Sequence, residues 1–420
     1  MSAISPAEHA ALAGIDGTAM LAQVESWCAV NSGSRNLPGL AETAKLLAAA
    51  FAPLGEVHFR APADATQMLA SGEVADLRHG ENLHLIVRPQ APTRILLTGH
   101  YDTVFAADHS FQSLRWLEPG VLNGPGVADM KGGIAVMLAA LTALESSPHA
   151  SALGYEVILN ADEEVSSPGS TPLLVEAAHR VDAGLTFEPA LPDGTLAGAR
   201  PGSGNFSVHI MGRAAHAGRE PEKGRNAIIA AADLALRLAA LIAPDLKVNA
   251  AKIDGGGPNN IVPDTAILRF NMRPETPEAQ ARALQSIDAA IASIAAAHDI
   301  SAHRHGSFAR PPKPLDENQL RLFNLVKSVG ADLGIGIGWR NAGGVCDGNN
   351  LAATGLAVVD TLGVRGGAIH SANEFLIVES LEERAKLAAL HLMRLAQQGF
   401  SRQPPSPASG RGDSRPSASG

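Results

Sequence analysis

Short apolar runs closed by turn residues alternate with stretches of helical spacing through the first half of the chain. Asn82 to Val87, Arg94 to Thr98, Glu156 to Asn160 and Ala183 to Phe187 are leucine-rich or β-branched runs of strand length. Ala19 to Val30, Leu40 to Phe51, Gly133 to Leu144 and Thr171 to His179 carry apolar residues at the period of a helix. Buried strand alternating with helix predicts an α/β sheet with helices on both faces, whose ligand groups gather at the carboxyl ends of the strands.

From about Gly202 the pattern changes. Asn205 to Ile210 alternates as a half-buried strand, Ala227 to Ile242 is a long alanine-rich helix, and Lys247 to Ile253 and Ala266 to Met272 read as antiparallel strands. Glu278 to Ala296 and Ile300 to His305 add a helix and a last strand, so an inserted α+β unit with a four-stranded sheet and two helices on one face is expected. Arg310-Pro311-Pro312 marks the return to the first unit, completed by Asn318 to Leu333, Leu356 to Leu362 and Leu381 to Gln397. The expected division is residues 1–199 and 312–400 for a discontinuous first domain, 200–311 for the insertion, and a disordered Pro-, Ser-, Gly- and Arg-rich tail over 401–420.

Composition narrows the partners. The chain has 420 residues, enough for two cores, and its 33 basic and 42 acidic side chains give a net charge of −9. No basic block could track a phosphate backbone, so nucleic acid is not expected. The N-terminus lacks the basic-then-apolar pattern of a secretory signal, and no run could span a bilayer. Cys28 and Cys346 stand far apart without spaced partners, which fits a reducing cytoplasm and packing thiols.

Candidate chemistry sits at the strand ends. Leu96 to Val104 ends a buried strand on His100 and Asp102, a pairing in which a carboxylate fixes the tautomer of a metal-binding imidazole. Gly124 to Gly133 is a glycine-rich loop that opens a helix and carries Asp129, without the Gly-Lys-Ser/Thr order of a nucleotide loop. Asp162-Glu163-Glu164 follows another apolar strand, and carboxylates crowded there need cations to offset their repulsion. Glu188 ends a further strand, and Gly366-Gly367-Ala368-Ile369-His370 supplies a second histidine. Each segment alone is commonplace, whereas the ordered series in this strand context is not.

The series resembles the zinc-dependent exopeptidase and deacylase family that includes glutamate carboxypeptidase, acetylornithine deacetylase, succinyl-diaminopimelate desuccinylase and aminoacylase, over about Ala19 to Leu395. The resemblance implies a mixed-sheet catalytic domain of zinc-exopeptidase type with a ferredoxin-like lid and dimerisation insertion. It also implies two Zn2+ ions, replaceable by Co2+ or Mn2+, with Asp129 bridging, His100 and Glu188 on one ion, and Glu164 and His370 on the other. Asp102 would orient His100, and Glu163 would be the general base. His216, in Gly212-Arg213-Ala214-Ala215-His216-Ala217-Gly218, matches a histidine that stabilises the oxyanion, often in the other subunit. Asn260 and Arg273 match positions that hold a substrate carboxylate; Arg310 is a weaker match, and Arg200 is equally placed as an ordinary arginine. Cys346 stands where the family loop has Ser or Thr before Asp347, and Glu374 matches a family acid without an assigned role.

The implied activity is hydrolysis of the amide bond of an N-acyl or peptidyl amino acid with a free carboxylate, closest in pattern to glutamate carboxypeptidase. The alternatives are an acetylornithine-deacetylase-like deacylase, an N-carbamoyl amide hydrolase, and an inactive metal-binding homologue. The carbamoyl branch has a Phe-Asp-Gly type loop where this chain has Ala128-Asp129-Met130, and no base or ligand is lost as in an inactive relative. A homodimer through the inserted unit, using the helix Ala227 to Ile242 and Asn205 to Ile210 as an edge strand, is the family expectation.

Overall fold

Residues 4–402 are described by a computed structural model, so the tail expectation beyond Arg402 lies outside the described residues. The central sheet has six strands in the order Val57–Arg60, Asn82–Val87, Leu153–Asn160, Thr93–His100, Ala183–Thr186 and Ala357–Val359. The last four run parallel, and the first two add an antiparallel margin, so the sheet is mixed.

Alternation along the strands decides which face each side chain enters. Ile95 and Leu97 join Val157 and Leu159 in one core with the helices Gly17–Cys28, Lys131–Glu145 and Glu379–Gln398. Leu96 and Ile158 point the other way, onto Leu173 and Leu174 of Thr171–Ala178 and Leu351 of Asp347–Ala352. Both faces are therefore covered, which is why Leu153–Asn160 is buried at every residue. Cys28 and Cys346 are both buried free thiols.

Two glycines let the helix Lys131–Glu145 start hard against the sheet. A Cβ on Gly133 would overlap the carbonyl oxygen of Phe187, and one on Gly132 would overlap that of Val127. Lys131 is buried beside them, and its Nζ donates to the carbonyls of Trp27 (3.0 Å) and Val30 (3.1 Å) at the end of Gly17–Cys28.

A second sheet, antiparallel, orders its strands Leu246–Gly255, Thr265–Pro274, Ser203–Met211 and Ser301–Arg310. With Ala227–Ala239 and Pro277–His298 interleaved, the chain order is βαββαβ, the ferredoxin-like arrangement. Phe206, Val208, Ile210, Leu268 and Phe270 pack under the helices, while Asn205, Ser207, Arg269 and Asn271 occupy the opposite face. One expectation is corrected here: Ser203–Met211 is an interior strand paired on both sides, and the edges are Leu246–Gly255 and Ser301–Arg310. The edge placement belonged to the expected dimer seam; the alternating polar residues mark the face of the sheet turned away from its helices.

Several short elements carried too little pattern to be foreseen, among them the helix Pro6–Leu12 and the hairpin Ala65–Met68 with Val74–Leu77. The hairpin is largely exposed, so no apolar alternation announces it. No helix among the described residues is long and apolar enough to cross a membrane.

The close approach at Gly133 is open to test. Gly133→Ala is expected to lower unfolding stability by about 1–3 kcal/mol, the usual cost of overpacking, in urea denaturation; an unchanged midpoint would show that helix and strand can move apart freely.

Candidate metal centre

Parallel pairing brings three strand ends side by side. His100 pairs with Asn160 across one ladder, and Thr98 with Thr186 across the other. The residues just beyond, Asp102, Glu163, Glu164 and Glu188, must therefore emerge at one end of the sheet. Asp129 reaches the same place from the loop before Lys131–Glu145, and His370 from the segment between the short strands Gly366–Gly367 and Phe375–Ile377.

Asp129 lies between the two histidines. Its Oδ1 is 3.1 Å from His100 Nε2, and its Oδ2 is 3.3 Å from His370 Nε2. His100 Nε2 is also 3.7 Å from Glu188 Oε1, and His370 Nε2 is 3.1 Å from Glu164 Oε2. Donor atoms of His100, Asp129 and Glu164 lie within 4.8 Å of one another, as do those of His100, Glu163 and Glu188. The sequence-derived ligand set is thus brought together around a carboxylate with one oxygen toward each side.

Asp102 is fully buried behind this cluster. Its Oδ1 is 3.4 Å from His100 Nδ1 and accepts from the Glu163 amide (3.1 Å), while its Oδ2 accepts from Ser34 Oγ (2.7 Å) and the Glu164 amide (3.3 Å). Glu374 does a similar job for the loop of Asp129: its carboxylate accepts from the amides of Gly126, Ala128 and Asp129 at 3.0–3.2 Å. Ser34 carries no sequence signal of its own, because its partner is remote in the chain.

Electrostatics test whether cations suit the set. Burial pushes the Glu163 and Glu188 carboxyls up, and burial with the Asp129 charge lifts Glu164 to about 7. Hydrogen bonds to Asp129 and Glu164 raise His370 to about 11. Burial opposes ionisation of Asp129, yet bonds from both histidines hold it below the usual carboxylate range. Carboxylates this crowded and desolvated need positive charge nearby, and the mix of imidazole nitrogen and carboxylate oxygen is the donor set zinc accepts.

The arginines are divided between tasks. Arg310 is buried, and its Nη2 donates to Glu163 Oε1 (2.7 Å) and Ser167 Oγ (2.9 Å) while Nη1 donates to Asp347 Oδ1 (2.6 Å) and Asn350 Oδ1 (2.9 Å). Its guanidinium is committed to the protein's own groups, a position that a bare Arg-Pro-Pro sequence could not reveal. Arg200 is likewise held by Asp360 (2.8 Å) and the Gly344 carbonyl (3.1 Å). Arg273 is half-buried, donates to Asn271 Oδ1 (3.1 Å) and the Gly343 carbonyl (3.2 Å), and lines a cavity of about 810 Å³ with Asp129, Glu164 and Glu188. Cys346 packs in the core and directs its thiol to Asp360 Oδ2 at 3.7 Å.

His216 and Asn260 stand apart from that cavity. They are neighbours on an exposed two-stranded ribbon, where His216 pairs with Ile261 and the Asn260 carbonyl accepts from the Ala217 amide (2.9 Å). Neither lines the cavity of its own chain.

Comparison with known proteins agrees with this architecture. The family model for peptidase family M20/M25/M40 matches residues 96–394. Carboxypeptidase G2 of Pseudomonas sp. (strain RS-16) is 28% identical over 393 residues, covering 90% of this chain and 89% of that protein. Succinyl-diaminopimelate desuccinylase of Xanthomonas oryzae pv. oryzae is 28% identical over 358 residues, 79% of this chain and 92% of that protein. Among solved structures, a tripeptidase from Staphylococcus aureus superposes with a TM-score of 0.71 at 22% identity, covering 91% of this chain and 100% of that one. The Bacillus subtilis YXEP protein, described as a dinuclear metal binding peptidase, gives 0.64 at 17% identity over 91% and 98%. A match that runs from the strand bearing His100 to the closing helix spans both layers of the fold, and the chain accordingly belongs to peptidase family M20/M25/M40, metal-dependent hydrolases of amide bonds.

Proposed function

We propose that this chain is a dinuclear metal-dependent hydrolase that releases an amino acid with a free carboxylate from an N-acyl or peptidyl precursor. The observation that carries the reading is Asp129, whose two oxygens face His100 and His370 separately. The carboxypeptidase G2 relative supports a peptidase-like substrate, while the desuccinylase relatives support a second reading in which the acyl group is that of a small-acyl deacylase.

Two divalent cations, zinc by first choice, held by His100, Asp129 and Glu188 and by Asp129, Glu164 and His370, would supply Lewis-acid polarisation of the amide carbonyl and acidification of a water. Glu163 then takes the proton and returns it to the leaving nitrogen. Arg310, donating to both the side chain and the carbonyl of Glu163, fixes where that proton is handled. Asp102 keeps the His100 ring oriented and ties the Glu163 turn to the same strand end. Arg273, on the cavity wall, is suited to the substrate carboxylate, whereas Asn260, outside that cavity beside His216, is suited to a polar contact in a partner's site.

His216 fits a role across a homodimer. The amides of Gly218 (3.1 Å) and Arg219 (3.2 Å) both donate to its Nδ1, which leaves Nε2 as the protonated, donating nitrogen. An exposed donor of that kind suits the developing oxyanion of a partner's site. Exposed Ile229, Leu236 and Ile242 give the inserted unit an apolar outer surface that a second copy would cover. In the division into residues 1–199, 200–311 and 312–400, the inserted unit carries His216 and this apolar surface, while the first and last segments together form the discontinuous domain of the metal-type ligands.

A panel of N-acyl and peptidyl amino acids tests the activity. Zinc- or cobalt-loaded protein is expected to release free amino acid, chelation to abolish release, and added metal to restore it; hydrolysis of esters or N-carbamoyl compounds alone would sink the assignment. Glu163→Gln is expected to lower kcat by about 10²–10⁴-fold with two metals still bound by elemental analysis. Equal rates in the two proteins would remove Glu163 from the chemistry. His216→Ala should lose about 10²–10³-fold, and mixing it with Glu163→Gln should recover activity, because one site of the mixed dimer keeps both groups. No recovery on mixing, with subunit exchange verified, would place His216 in its own chain's reaction or in none.

A further inference from the structure

The cavity bearing the metal-type ligands does not end at them. A second cavity of about 690 Å³ meets it at Ser166, Asn205 and Asn271, so the two form one canyon with the Glu163 turn at the junction. The halves differ in chemistry. Beyond the carboxylates, the first is walled by Arg273 and Arg340, neither of which is paired to a carboxylate among the described residues, and by Arg200, which is held by Asp360. Along the second run Met68, Leu77, Val165 and Pro168 with neutral Ser207 and Ser307.

Its formally charged lining residue, Arg269, is already committed. Nε of Arg269 donates to Asp254 Oδ2 (2.9 Å) and Nη1 to Ser207 Oγ (3.0 Å). His305 is likewise engaged, with Nε2 3.0 Å from Thr66 Oγ1.

The hairpin Ala65–Met68 with Val74–Leu77 closes this half. At its base the Ala63 amide donates to the Gly169 carbonyl (2.8 Å), just beyond the Glu163 turn. Thr66 then bonds His305, and Gly72 at the tip lies so close to the His209 ring that a Cβ there would overlap it. Gly72 also has a φ of +88°, which favours glycine. The hairpin thus reaches from the catalytic layer to the polar face of the inserted sheet and walls off a space in the range of about 300–1,000 Å³ that encloses whole organic ligands.

We infer that this second cavity is the acyl-side subsite and that it accepts an extended, uncharged acyl or peptidyl group, an inference that rests on the proposed cleavage of N-acyl or peptidyl amino acids. The substrate's carboxylate belongs in the arginine half and its acyl group in the neutral half, which orients the scissile bond across the Glu163 turn. An acetyl group leaves most of the second cavity unused. A succinyl group carries its distal carboxylate to a place where the one cationic lining residue is already paired, and so exchanges hydration for neutral hydroxyl and amide donors with no free charge to offset its own.

Three substrates sharing the leaving amino acid chosen by the panel test this: N-acetyl, N-succinyl and N-(benzoylglycyl). The benzoylglycyl compound is expected to exceed the acetyl one in kcat/KM by about tenfold or more, with the succinyl compound lowest. Ser307→Trp and, on the hairpin, Gln67→Trp narrow the cavity from opposite walls and should collapse that preference. Calorimetric binding of the same compounds to metal-loaded Glu163→Gln gives a reading independent of turnover, with the same order expected. Acetyl or succinyl compounds preferred over benzoylglycyl, or a preference untouched by both tryptophans, would overturn the inference. Ordered binding without hydrolysis by the unsubstituted protein would instead overturn the hydrolase reading and leave the subsite standing.

Discussion

Everything at the centre hangs on one buried carboxylate that touches two strand ends at once. Asp102 leaves the sheet on the strand of His100, yet its oxygens receive the amides of Glu163 and Glu164 from the neighbouring strand's turn and the hydroxyl of Ser34 from a third segment. A carboxylate saturated by such donors is stable where an isolated one is not. The contact fixes the His100 imidazole, the Glu163 turn and the Glu164 carboxylate in one frame. Glu374 repeats the device for the loop of Asp129, so both halves of the cluster are set by acceptors that take several backbone donors.

A second group of buried charges joins the layers. Asp347 accepts from Arg310 and from Ser167, and Asp360 lies between Arg200 and Lys313. These pairs stand where the chain enters and leaves the inserted unit, at residues 200 and 310–313. Buried pairs of this kind contribute little net stability against an apolar alternative, but breaking one partner is costly. They tie the two ends of the inserted unit to the layer that carries Glu163.

Much of this was legible in the residues and some was not. Buried strands such as Asn82–Val87 and long amphipathic helices such as Pro277–His298 declare themselves through periodicity, and the histidine and carboxylates of the centre stand directly after such strands. Contacts between remote segments leave no local trace. Ser34 on Asp102 and Arg310 on Glu163 depend on pairs 68 and 147 residues apart. Nor could alternation correct the expected edge strand, because it reports one polar face whether the strand is at an edge or, like Ser203–Met211, inside. The hairpin Ala65–Leu77 is silent because its partner is that same polar face.

The discontinuity of the catalytic layer has a consequence for how the protein folds. His100, Asp129, Glu164 and Glu188 precede the inserted unit in the chain, whereas His370, the Glu374 brace and the helix Glu379–Gln398, which packs with Lys131–Glu145 in one core, follow it. Between them the inserted sheet, with a core of its own, can fold first as a unit. The cluster is thus complete only when the segment after the inserted unit has joined the sheet laid down before it, so the gathering of His370 with Asp129 and Glu164 reports that the two halves of the discontinuous layer have met.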